Sequence, residues 1–127
     1  MIDKFTKARQ ILQGLPKTDQ TCKEIEQKNY MRVLSSFSTE RDTYELMQVI
    51  IDKAYQIQQL QNEKRVAMSI IARAPENYKT VLTLFFLKGK TIAKIAEKIE
   101  KGESTTSRLI SSAVEWFADE FYGRQRI

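Results

Sequence analysis

The stretch Val81-Leu82-Thr83-Leu84-Phe85-Phe86-Leu87-Lys88-Gly89-Lys90-Thr91-Ile92-Ala93-Lys94-Ile95-Ala96-Glu97-Lys98-Ile99 decides how the chain is read. Upstream of Gly89, the residues Tyr78, Val81, Leu82, Phe85 and Phe86 recur at the spacing of one helix face. They predict a helix of about a dozen residues that starts after Pro75 and ends at Lys88-Gly89-Lys90. Downstream, Thr91 stands where a side chain caps a helix, and Ile92, Ile95, Ala96 and Ile99 share one face while the lysines project elsewhere. A turn at Glu100-Lys101-Gly102 follows. A third helix opens at Glu103-Ser104-Thr105, carries Leu109, Ile110, Ala113, Phe117 and Phe121 inward, and ends near Tyr122-Gly123.

A short helix, a glycine-containing turn and a longer helix form the helix-turn-helix arrangement. In it the second helix lies in the DNA major groove and the first crosses the phosphates. Small Ala96 lets the two helices approach closely. The exposed side chains at the start of the third helix, Glu103, Ser104, Thr106, Ser107, Arg108 and Ser111, are the expected base contacts. Arg108 is foremost among them, because a guanidinium can donate two hydrogen bonds to guanine O6 and N7. Its competing role is an ion pair with Glu103 or Glu115. Lys88, Lys90, Lys94, Lys98 and Lys101 are the expected phosphate contacts, and Lys88 to Ser112 holds six basic residues against three acids. Arg124 and Arg126 extend a tail that is expected to be unstructured, with backbone phosphates as the alternative, and Trp116, too far along the helix for the groove, is expected in a core or interface.

Outward from this segment the chain reads as helix. Ile2, Phe5, Ala8, Ile11, Leu12 and Leu15 predict a short amphipathic helix that stops at Gly14-Leu15-Pro16. A second is expected over Thr21 to Leu34, with Ile25, Tyr30, Val33 and Leu34 on its apolar face, before the polar cluster Ser35-Ser36-Phe37-Ser38-Thr39. Ser38 or Thr39 would cap a long helix, with Glu40 and Asp42 suiting its positive end, running to about Arg73 before Ala74-Pro75. In it Met47, Ile50, Ala54, Ile57, Gln61, Lys64, Met68 and Ile71 form a heptad seam with two polar members. The seam suits either a homodimer or packing within one chain. The division expected is a helical region over 1–73, with a possible oligomerisation role, and a DNA-binding domain over 74–127.

Composition narrows the functional classes. The 127 residues, 42% hydrophobic and 29% charged, can bury one core under a solvated surface. Histidine is absent and Cys22 is the one cysteine, which removes histidine-based catalysis, disulfides within the chain and the common zinc sites. No glycine-rich phosphate loop occurs, so no enzyme, cofactor or metal is expected. No apolar run approaches the roughly 20 residues a spanning helix needs, and a cytoplasmic location is expected. The net charge of +5 suits a polyanionic partner.

Residues 81–99 resemble the sigma factor region-four pattern "VLxLxYxxGxSxxEIAxxL". Gly89, Thr91, Ile95, Ala96 and Ile99 occupy its glycine, cap, Ile-Ala and leucine positions, and Thr105, Ile110 and Ala113 fall on the "TVxxxLxxA" register that follows. The run Ser112-Ala113-Val114-Glu115-Trp116-Phe117-Ala118-Asp119-Glu120-Phe121-Tyr122 further resembles the "ALxxFAxxY" close of ArpU-like and RinA-like phage transcriptional regulators. The resemblance covers about residues 74 to 122. Three positions depart from it: Lys101 replaces an apolar turn residue, Gly102 a serine, and Thr106 a buried valine. Ser104 in place of residue 102 then becomes a candidate cap for the third helix.

The expectation is therefore an all-α chain. Its amino-terminal helices include one long coiled-coil-like helix, followed by a carboxy-terminal helix-turn-helix of the sigma region-four type. The resemblance implies a sequence-specific, double-stranded-DNA-binding transcriptional regulator, phage or prophage encoded and of the late-gene activator type. Homodimerisation through the long helix is expected, with host RNA polymerase as a possible partner and no membrane. The alternatives are a DNA-packaging subunit like a small terminase, built as an oligomeric ring, and a protein-binding adaptor with no DNA affinity.

Overall fold

The computed structural model describes residues 3–35 and 40–123, with side chains described at 3–28 and 44–123. Their regular structure is helical throughout: α1 (Lys4–Gly14), α2 (Thr18–Ser35), α3 (Glu40–Ala72), α4 (Glu76–Leu82), α5 (Ile92–Ile99) and α6 (Glu103–Gly123). No described helix is long and apolar enough to cross a membrane. Two compact units are formed, Met1–Pro16 with Arg65–Ile127, and Lys17–Lys64.

In the first unit, α1 begins where the Asp3 carboxylate accepts the Thr6 N–H at 2.7 Å. That bond, followed by one to the Thr6 side chain, holds the Asp3 carboxyl below the usual carboxylate range. Ala8, Leu12 and Leu15 are buried with Phe5 and Ile11 packed beside them, so the periodicity found the correct face; Ile2 lies outside the described residues. This face packs chiefly along α6, and Lys4 pairs with Asp119 at its edge. The helix thus belongs with the carboxy-terminal helices, in a unit that also takes in the end of α3 from Arg65. The reason is the buried apolar face of α1, which the carboxy-terminal helices cover. Ala67, Ile70 and Ile71, from the end of α3, join the same core. Arg73 adds an ion pair to Glu120 at 3.1 Å, a partly exposed contact worth about 0–1 kcal/mol.

The helix after Pro75 runs as predicted to Leu87, but its last turn, Thr83–Leu87, is a π-helix, with the Lys88 N–H donating to the Thr83 carbonyl at 3.0 Å. The wider turn swings Leu84 into the core beside Val81, Leu82 and Phe86 and leaves Phe85 half-buried. The expected inner face therefore gains Leu84. Gly89 closes the segment at φ +64°, a left-handed position that glycine adopts without strain.

Thr91 caps α5 as its position predicts, its hydroxyl oxygen accepting the Lys94 N–H at 3.3 Å. Ile95 and Ala96 are buried, and α5 packs on α6. Its end is a Schellman-type turn: the Lys101 N–H donates to the Ala96 carbonyl at 3.0 Å while Glu100 sits at φ 59°. Among the described residues Glu100 is the one non-glycine with positive φ. Glu100→Gly is expected to raise the stability of the full chain by about 0.5–1 kcal/mol in urea unfolding, since relief of left-handed strain exceeds glycine's entropic cost. An unchanged or lower midpoint contradicts this.

In the second unit, α2 begins at Thr18, three residues before the expected start. A 3₁₀ turn over Leu15–Lys17 carries the chain from α1 through Pro16 with no extended break. Proline ends α1 but its fixed φ suits entry into the next helix, so the two helices are nearly continuous in sequence. Thr18, Cys22 and Ile57 are buried, and Lys64 pairs with Asp19 at 3.1 Å. The polar cluster's Ser36-Phe37-Ser38-Thr39, with either cap for α3, lies outside the described residues.

The heptad seam of α3 divides into two rows. Ile57 and Ile71 are buried and Ile50 and Lys64 half-buried, whereas Met47, Ala54, Gln61 and Met68 are exposed. One row of the seam is thus used within the chain.

Candidate nucleic-acid interface

The start of α6 is set by Gly102, whose carbonyl accepts the Thr106 N–H at 2.9 Å and the Thr106 hydroxyl at 2.9 Å. The first intrahelical bond therefore begins at residue 102, and Ser104 lies inside the helix, not at its cap. Thr106 is fully buried, in keeping with the apolar residue of the pattern it departs from. It cannot reach a base, and the structure removes it from the expected contacts. Because the Gly102 carbonyl keeps the Thr106 N–H when the hydroxyl is lost, Thr106→Val is expected to change stability by less than about 1 kcal/mol. A larger loss in urea unfolding would show that the hydroxyl bond matters beyond its acceptor.

Glu103, Ser104, Ser107, Arg108 and Ser111 are all exposed on the first turns of α6. They point away from the buried side formed by Thr106, Ile110, Ala113 and Val114. Among the described residues Arg108 has no ion-pair partner, so the expected competition from Glu103 or Glu115 is not realised. Trp116 is half-buried, tilted against Tyr78 with ring centroids 6.2 Å apart, and Phe117 and Phe121 stack inside. These aromatics hold α6 to its neighbours and leave its amino-terminal end clear.

The expected phosphate contacts Lys88, Lys90, Lys94, Lys98 and Lys101 are exposed. The fold brings three of them together: Lys90, Lys94 and Lys98 line a shallow groove floored by Leu84 and Ile95. Adjoining it across Leu84 and Lys98, a second depression is lined by Glu76, Lys79, Thr80 and Thr83. Lys88 and Lys101 lie outside both. Lys79 is therefore a cation of the same surface that the sequence reading omitted. Its only local signal is an exposed position on α4, and its neighbourhood with Lys98 arises when α4 and α5 fold together.

Among the described residues no group of carboxylates and cysteine could hold a metal ion, and Cys22 is buried and free. Arg124 and Arg126 lie outside the described residues. The arrangement offers hydrogen-bond donors on one exposed helix end and a run of cations on the adjoining helices. No family model, curated protein or solved structure matches the chain.

Proposed function

We propose that this chain is a sequence-specific, double-stranded-DNA-binding transcriptional regulator of the phage late-gene activator type. In this reading α5, its turn and α6 act as a helix-turn-helix of the sigma region-four kind. Glu103, Ser104, Ser107, Arg108 and Ser111 face base edges while Lys90, Lys94 and Lys98, joined by Lys79, Lys88 and Lys101, face phosphates. The observation that carries it is that, among the described residues, Arg108 is exposed and unpaired on the amino-terminal face of α6, beside a turn and a helix whose lysines have no carboxylate partners. An unpaired guanidinium at the start of a helix suits guanine recognition, and exposed lysines on the adjacent helix suit a phosphate backbone. The resemblance of residues 81–99 and 112–122 to region four and to ArpU-like and RinA-like regulators supports the same reading. The reading includes a homodimer formed through α3, and host RNA polymerase as the partner of an activator.

Equilibrium binding of the full chain to labelled duplex from upstream of its own gene, against a scrambled duplex of equal length, tests it. The reading predicts tighter binding to the natural duplex. Equal binding to both would reduce the chain to a non-specific DNA binder, and no binding to either would leave a protein partner as the occupant of this surface.

A further inference from the structure

The outward face of α3 carries a stripe that packing within the chain leaves uncovered. Tyr44, Met47, Ile51 and Tyr55 keep 72%, 57%, 57% and 63% of their surface exposed. At about 100° per residue they fall within a sector roughly 80° wide. Leu46, Val49, Ile50, Ile57 and Leu60 are buried or half-buried on the other side of the helix. Single exposed apolar residues are ordinary, but four in one row present roughly 500 Å² of contiguous surface, the extent that marks an interaction site.

We propose that this stripe is a homodimer interface on which a second copy of the chain docks. The inference rests on the homodimer part of the proposed function and is independent of DNA binding. Charge selects the occupant. The chain carries a net +5, yet the sector holds Gln48, Ala54, Gln58, Gln59 and Asn62 around the four apolar residues, with Asp52 only at its border. A two-fold contact sets a surface against itself, so an uncharged stripe meets no like-charge repulsion, while a polyanion would find no cation here.

Spacing suits the same occupant. Tyr44, Gln48, Ile51 and Tyr55 are separated by four, three and four residues, the heptad spacing by which one helix packs along another of its own kind. A stable interface takes roughly 800 Å² per copy, so Gln48, Gln58 and Gln59 would extend the contact beyond the apolar row.

Sedimentation velocity of the full chain, with Ile51→Glu and Tyr55→Lys as separate variants and circular dichroism to confirm retained helix, tests the interface. The proposal expects a dimer for the parent and at least a tenfold weaker association, on the order expected for an unpaired buried charge, in each variant. A monomeric parent overturns the stripe and the homodimer together, while leaving the proposed base and phosphate contacts to stand or fall on DNA binding. A dimer that survives both charge variants overturns the stripe alone.

Discussion

Phe117→Ala is expected to destabilise the unit containing α6 by about 3–5 kcal/mol, the largest effect of any single substitution considered. Phe117 is fully buried at the middle of α6 and stacks on Phe121 with centroids 5.6 Å apart. It shares one core with Leu12 of α1, Ile70 of α3, Leu82 of α4 and Ile95 of α5. Removing the ring leaves a cavity that five helices would have to collapse to fill, and close-packed helices relax only in part. A domain of this size has about 5–15 kcal/mol of stability in total, so the loss is a large share of it. Urea unfolding followed by circular dichroism should move to a midpoint lower by roughly 1–3 M for a slope of ordinary size. A shift of a few tenths of a molar would mean that the core of this unit is centred elsewhere.

The second large effect is on recognition. Arg108→Ala is expected to remove about 1–3 kcal/mol of the preference for natural over scrambled duplex, roughly a fivefold to hundredfold change, with little effect on fold stability. Among the described residues the side chain is exposed and unpaired, so its loss leaves no orphaned charge there and opens no cavity. Lys94→Ala differs in kind: it should weaken both duplexes alike, because a phosphate contact carries no sequence information. If Arg108→Ala lowers affinity for both duplexes equally, the guanidinium is a phosphate contact and specificity is read by other residues.

The helices that carry the candidate interface were legible because their signals are local. Thr91 caps, Gly89 takes the left-handed position that ends the preceding helix, and the turn lies at Glu100-Lys101-Gly102 as expected. Thr106 was misread although a signal existed. It stands four residues before Ile110 and seven before Ala113, on the row that continues to Phe117, so its position belongs to the core despite its polar side chain. A hydroxyl that bonds to the carbonyl four residues back is a polar group that hides well inside a helix.

Other features could not be read locally. The π turn at Thr83–Leu87 brings Leu84 and Phe86 inward together, a choice made by the neighbours they pack against. The docking of α1 along α6 joins segments over a hundred residues apart, as the Lys4–Asp119 pair shows. In α3 the first half is apolar on nearly every side. Several seven-residue rows compete there, and only packing decides that Ile50 and Ile57 face inward while Tyr44, Met47, Ile51 and Tyr55 face out. The groove that unites Lys79 with Lys98 likewise exists only once α4 and α5 are folded together.

The α5–α6 surface is proposed to bind duplex DNA through lysines at the phosphates and Arg108 at the bases. This is tested most directly by the salt dependence of full-chain binding to labelled natural duplex, measured between about 50 mM and 200 mM salt. About six phosphate contacts predict an affinity that falls on the order of 10³-fold over that range, with a shallower slope when Lys94 and Lys98 are both replaced by alanine. Absence of binding even near 50 mM salt, or binding whose slope is untouched by the lysine replacements, would contradict the account.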